Sequence, residues 1–197
     1  MKNFNIERFI TIQNECDKYE TGYQEKESNG KLHHLISMFV PQNKNKGNCN
    51  YNRAFQELES GKKRSHWIWY IFPQLKGIGH SSMSNKYGIV SLQEAEEYYK
   101  NETLCKRLRE ITKVLLSQND NVENIFGALD ARKVCSCMTL FDLVSPNDIF
   151  DEVLSKFYHS KRCQKTISLL KNEMDNKNKG TVDNKNNTPG RMFRGIV

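Results

Sequence analysis

GKKRSHWIWYIFPQLKGIG, residues 61–79, decides how the rest of the chain is read. Three cations and a histidine stand directly before six consecutive apolar or aromatic residues, Trp67 to Phe72; Pro73-Gln74 and a Gly-x-Gly turn follow. Both tryptophans of the chain lie here. Six apolar residues in a row suit a buried helix or a buried strand, and Trp, Ile, Tyr and Phe favour strands. The flanking segments read as helices and offer no strand partner. A helix over 66–72 is therefore expected, capped by Ser65 and ended near Pro73. Apolar on every side, it belongs in the middle of a bundle.

Upstream, residues 4–15 read as a short amphipathic helix with Phe4, Ile6, Phe9, Ile10 and Ile12 on its apolar side. Residues 19–42 then lie over residues 51–74 at a shift of 32 positions, with ten identities in 24 ungapped positions. His34/His66, Pro41/Pro73 and Gln42/Gln74 are among them, whereas Leu35 and Ser37 stand opposite the two tryptophans. This is an internal duplication of only two copies. The second copy runs into the downstream helices and should occupy the core, leaving 19–50 as an insert or peripheral hairpin.

Downstream, Tyr51 to Ser60 looks helical and is stopped by Gly61. Ser81/Ser82 can start a short helix through Tyr87, and Ser91-Leu-Gln-Glu94 is a capping box opening a helix to about Lys100. Leu104, Leu108, Ile111 and Leu115 recur at helical spacing. One or two turns over Asn121 to Phe126 stop at Gly127. Val134, Met138 and Phe141 line a helix from about Ala128 to Val144. Ser145-Pro146 is expected to start the next, and a last helix should span about Lys161 to Lys171. The fold class is all-α: a compact orthogonal bundle of about seven or eight helices around a central aromatic helix. Its parts are an N-terminal helix in 1–18, the partial duplicate 19–50, a helical domain 51–172 and a disordered basic tail 173–197.

The net charge of +7 is not spread evenly. Residues 51–160 carry fourteen Lys/Arg and fourteen Asp/Glu, while residues 161–197 carry nine against three. The excess sits in the last helix and tail, where it could add weak, nonspecific contact with nucleic acid. Six cysteines show no disulfide or zinc framework, so reduced thiols and a cytoplasmic (or nuclear) setting are the default. The first residues lack the apolar run of a signal peptide, and no segment reaches membrane-span length.

A helix beginning at Ser65 would aim its free N–H groups and positive dipole end at an anion, with Lys62, Lys63 and Arg64 beside it. A neutral His66 there could donate to a phosphate or act as general base, and Trp67 or Trp69 could stack on a base or sugar. The plainer alternative makes His66 a local backbone partner and both tryptophans core. Lys133 and Ser136, three apart, share a helix face, with Thr139 further along; all three could face the same cavity. Gly77-x-Gly79 reads as a turn. No spacing points to a metal, a cofactor, paired carboxylates or a Ser-His-Asp set.

These residues resemble a known family. The run 61–79, then MSNKYGIVSLQEAEEYY, then IFGALDARKVCSCMTLF is similar to the domain of unknown function 1810, whose members are sometimes mislabelled calpastatin. The resemblance covers about 4–16 and 51–170 and implies a compact helical bundle with no established activity. The positions matching its recurrent motif are Lys63, Ser65, His66, Trp67, Trp69, Pro73, Gln74, Tyr87, Lys133, Ser136, Met138 and Thr139. Cys135 stands where a basic residue is expected. Two functions are in view. One is a protein that binds or processes an anionic, phosphate-bearing small molecule such as a nucleotide or ADP-ribose derivative. His66 would be its catalytic candidate, with Lys63, Ser65, Trp67, Trp69, Gln74, Tyr87, Lys133, Ser136 and Thr139 contacting the ligand. The other is a non-catalytic helical interaction module whose tail meets nucleic acid or a protein.

Overall fold

A computed structural model describes residues 4–16 and 49–179, the last six of them as backbone only. The duplicate copy 19–42, most of the 19–50 insert and the tail beyond 179 lie outside the described residues. Ten helices occur among the described residues. They are α1 (Glu7–Asn14), α2 (Asn50–Glu59), α3 (Ile68–Ile71), α4 (Ser82–Tyr87), α5 (Leu92–Lys100), α6 (Glu102–Ser117), α7 (Val122–Phe126), α8 (Ala128–Val144), α9 (Ile149–Tyr158) and α10 (Gln164–Lys179). The class is all-α, and β structure among these residues is limited to two isolated bridges, Cys16 with Cys49 and Leu75 with Ile89.

The aromatic segment is buried as expected: Trp67, Ile68, Tyr70, Ile71 and Phe72 all belong to the core. Each such side chain withdrawn from water contributes roughly 1.5–3 kcal/mol before the entropy of ordering is subtracted. The helix itself is shorter than expected, one turn instead of residues 66–72. Two local causes set its length. Pro73 keeps Phe72 out of the helical region, at φ −117° and ψ 73°. At the other end the Glu57 carboxylate takes the backbone N–H groups of Arg64 and Ser65 together with the Ser65 hydroxyl, so Ser65 does not cap a helix.

Helix α8 runs beside this turn and packs against α3, α5, α7, α9 and α10. It lacks a polar face over much of its length, with Val134, Cys137, Met138, Leu140 and Phe141 all buried. The α6 stripe Leu104, Leu108, Ile111 and Leu115 is buried as its spacing predicts. Helix α1 is held by two side chains, Gln13 and Arg8. Gln13 donates to the Tyr70 carbonyl at 2.8 Å, and Arg8 pairs with the nearly inaccessible Glu94 at 2.6 Å.

Two of the expected serine caps form, and the one expected at Ser145 does not. Ser91 and Ser81 accept from Glu94 and Ser84 as N-caps of α5 and α4. Helix α9, however, begins at Ile149 with Asp148 as its cap; Ser145 instead closes α8 and donates its hydroxyl to Asp148. The last helix also differs from expectation: α10 starts at Gln164 and continues to Lys179, past the boundary placed at 172.

Candidate functional site

Of the three cations before Trp67, Lys63 turns inward onto one carboxylate while Lys62 and Arg64 stay exposed, and another carboxylate gathers the loop between them and Trp67. Glu57, on the last turn of α2, reaches the loop that follows Gly61, whose φ of +75° reverses the chain there. It accepts four hydrogen bonds: from the N–H groups of Arg64 (2.7 Å) and Ser65 (2.9 Å), the Ser65 hydroxyl (2.6 Å) and the Trp67 indole (2.7 Å). The anion expected at the head of the aromatic segment is thus supplied by the protein. Burial pushes the Glu57 carboxyl up, but the four donors outweigh it and hold it below the ordinary carboxylate value.

The second carboxylate is Asp130, in the first turn of α8. One oxygen meets Lys63 Nζ at 2.7 Å and the other meets Lys133 Nζ at 2.6 Å. Burial raises its pKa, but the two lysines outweigh that and bring it below the ordinary value. Each lysine also lies over a tryptophan, Lys63 at 5.4 Å from the Trp67 ring centre and Lys133 at 4.4 Å from that of Trp69. Glu57, Trp67, Lys63, Asp130, Lys133 and Trp69 therefore form one connected clasp. Trp67 is 1% exposed and edge-packed on Phe126, whereas Trp69 is only half-buried. Of the two rings, only Trp69 keeps surface for a ligand.

Several candidates lie elsewhere. Ser136 shares a 2.7 Å hydrogen bond with Thr166 of α10, and both are wholly buried. Thr139 accepts from the Cys163 N–H at 2.9 Å and donates to the Cys135 carbonyl. These two hydroxyls fasten α10 to α8. Tyr87 is a core ring against Phe9 and Tyr70. His66 is exposed and makes no hydrogen bond to the described residues.

Gln74 is 3% exposed, and its Oε1, like the Ser84 hydroxyl, has no partner among the described residues. A Cβ on Gly79 would stand 2.6 Å from Ser84 Oγ and 3.5 Å from Gln74 Nε2, so the second glycine of the turn is needed for close approach. Sequence reasoning missed Glu57 and Asp130. The retention of Glu25/Glu57 in the duplication was the available signal for the first, and the Asp130-x-x-Lys133 spacing for the second.

The fold and clasp define a small helical protein in which paired tryptophans are held by lysine–carboxylate bridges. The chain belongs to the family described as protein of unknown function DUF1810, whose model matches residues 35–170. It is also similar to a conserved hypothetical protein from Mycobacterium tuberculosis with a known crystal structure. The two are 37% identical, at a TM-score of 0.60, over 71% of this chain and 96% of that one. No curated protein matches the chain. No described helix is long and apolar enough to cross a membrane.

Proposed function

We propose that the protein binds a phosphate-bearing small molecule of the nucleotide or ADP-ribose class on the outer side of Lys133 and Trp69. The observation that carries this reading is the sharing of one carboxylate, Asp130, by two ammonium groups. That arrangement leaves one unit of positive charge uncompensated beside a half-buried indole. Lys133 has three N–H donors and gives one to Asp130, so two remain for phosphate oxygens. Trp69 offers the stacking face. Lys63 acts from behind, at 9% side-chain exposure, as fixed charge. The net attraction is one charge, weaker than the open cluster of Lys62, Lys63 and Arg64 suggests by itself.

The chemistry in this reading is recognition; His66 is an exposed imidazole immediately before Trp67. The two tryptophans give a direct test. Titration with nucleoside diphosphates, ADP-ribose and sugar phosphates should change the intrinsic fluorescence saturably, and Trp69→Phe should remove the response. Lys133→Ala should weaken binding about 5- to 30-fold, the equivalent of one or two kcal/mol. At a hundred times its Kd the ligand should stabilise the fold by about 2.7 kcal/mol. Binding of nucleic acid through residues 161–197 with no response at Trp69 would instead support the interaction module. Ligand affinity unchanged in Lys133→Ala would remove the site.

A further inference from the structure

Cys16 and Cys49 face each other where the chain leaves the bundle after α1 and returns to α2. Their bridge is antiparallel, and the hydrogen bond next to it runs from the Asn50 N–H to the Glu15 carbonyl at 2.9 Å. A bond joining the residue before Cys16 to the residue after Cys49 marks the two cysteines as a non-hydrogen-bonded pair. In such pairs the Cα atoms stand about 4.5 Å apart and the side chains leave on the same face. A disulfide needs Cα atoms roughly 4.4–6.8 Å apart. A non-hydrogen-bonded pair thus has the Cα spacing that a disulfide takes.

We propose that Cys16 and Cys49 are an oxidisable dithiol, closed to a disulfide by a small-molecule disulfide such as oxidised glutathione. Cys16 is exposed and Cys49 is half-buried, so Cys16 is the point of entry. Its thiolate attacks one sulfur of the oxidant, forming a mixed disulfide and releasing one small thiol. The Cys49 thiolate then attacks the Cys16 sulfur, forming the intramolecular bond and releasing the second small thiol. The two protein sulfurs lose two electrons, the oxidant gains them, and the two thiol protons end on the two small thiols. The bond closes residues 16–49 into a ring and staples the end of α1 to the start of α2. Constraining that ring in the unfolded chain stabilises the oxidised protein.

The other four cysteines are placed against this chemistry. Cys137 is buried, and burial pushes the thiols of Cys105 and Cys137 up and that of Cys135 to about 11, which suppresses their thiolates. Cys163 is half-buried, immediately before the start of α10.

Incubation of the full chain with oxidised glutathione should lower the thiol count of the denatured protein from six to four. Non-reducing peptide mapping should recover the Cys16 peptide joined to the Cys49 peptide. The oxidised protein should melt at a higher temperature than the reduced one. Cys49→Ser should trap glutathione on Cys16, and Cys16→Ser should abolish both the crosslink and the rise in Tm. Six thiols surviving oxidation, a persistent glutathione adduct on wild-type Cys16, or a crosslink between other cysteines or between chains would overturn the proposal.

Discussion

At the scale of single residues, Glu57 carries more of the local structure than any cation around it. Four donors converge on its two oxygens, one of them the indole of a tryptophan that is 1% exposed. Replacing it by alanine leaves these donors without an acceptor, a loss of about 2–3 kcal/mol readable in urea unfolding. Glu57→Gln should lose part of that, because an amide accepts through one oxygen only. A red-shifted tryptophan emission should accompany the alanine variant. Unchanged stability in Glu57→Ala would mean that water replaces the carboxylate at no cost. The residues named from sequence around this point, Lys63, Trp67 and Trp69, do meet in the clasp. What sequence could not supply was the partner of Lys63, because a carboxylate 67 positions further on gives no local signal of where it will point.

At the scale of elements, most helices were legible because their stripes and caps are local. The α6 stripe and the 128–144 span needed only spacing and a stopping glycine. The start of α9 differs from the expectation because two residues three positions apart, Ser145 and Asp148, can both cap, and tertiary contacts chose between them. Asp148 receives the Tyr99 hydroxyl of α5 (2.7 Å), the Ser145 hydroxyl (2.9 Å), the Ile149 N–H and the Arg109 guanidinium of α6. Burial acts to raise its pKa, but these donors bring it down to about 2. Asp148→Ala should therefore cost about 1–2 kcal/mol at pH 7, after discounting for solvent screening at this partly exposed junction. The cost should shrink as pH falls through about 2, where the wild-type carboxylate takes up its proton. A pH-independent cost would assign the loss to packing alone. The join between α8 and α10 makes a separate expectation. Ser136→Ala strands the buried Thr166 hydroxyl and should cost about 1 kcal/mol, while Thr139→Val should loosen the Cys163 end of α10 by a similar amount.

At the scale of the whole molecule, three of the carboxylates held below their ordinary values share one consequence. Glu57, Asp130 and Asp148 bind protons less readily folded than unfolded. The stability they contribute is present above the ordinary carboxylate range and is lost as pH falls through their folded values. Unfolding free energy should decline steadily below about pH 4, and a flat profile between pH 5 and 3 would contradict this. The positive charge legible in the sequence belongs largely to residues 161–197, whereas Lys63 and Lys133 beside the tryptophans share an internal carboxylate. The central claim is that Asp130 occupies ground an external anion would otherwise take. Asp130→Asn frees both lysines, so titrating that variant and the wild type with ADP-ribose, followed by tryptophan fluorescence, tests it most directly. Tighter binding to the variant is the predicted result. Equal or weaker binding would show that the carboxylate organises the site, or that no anion site lies there.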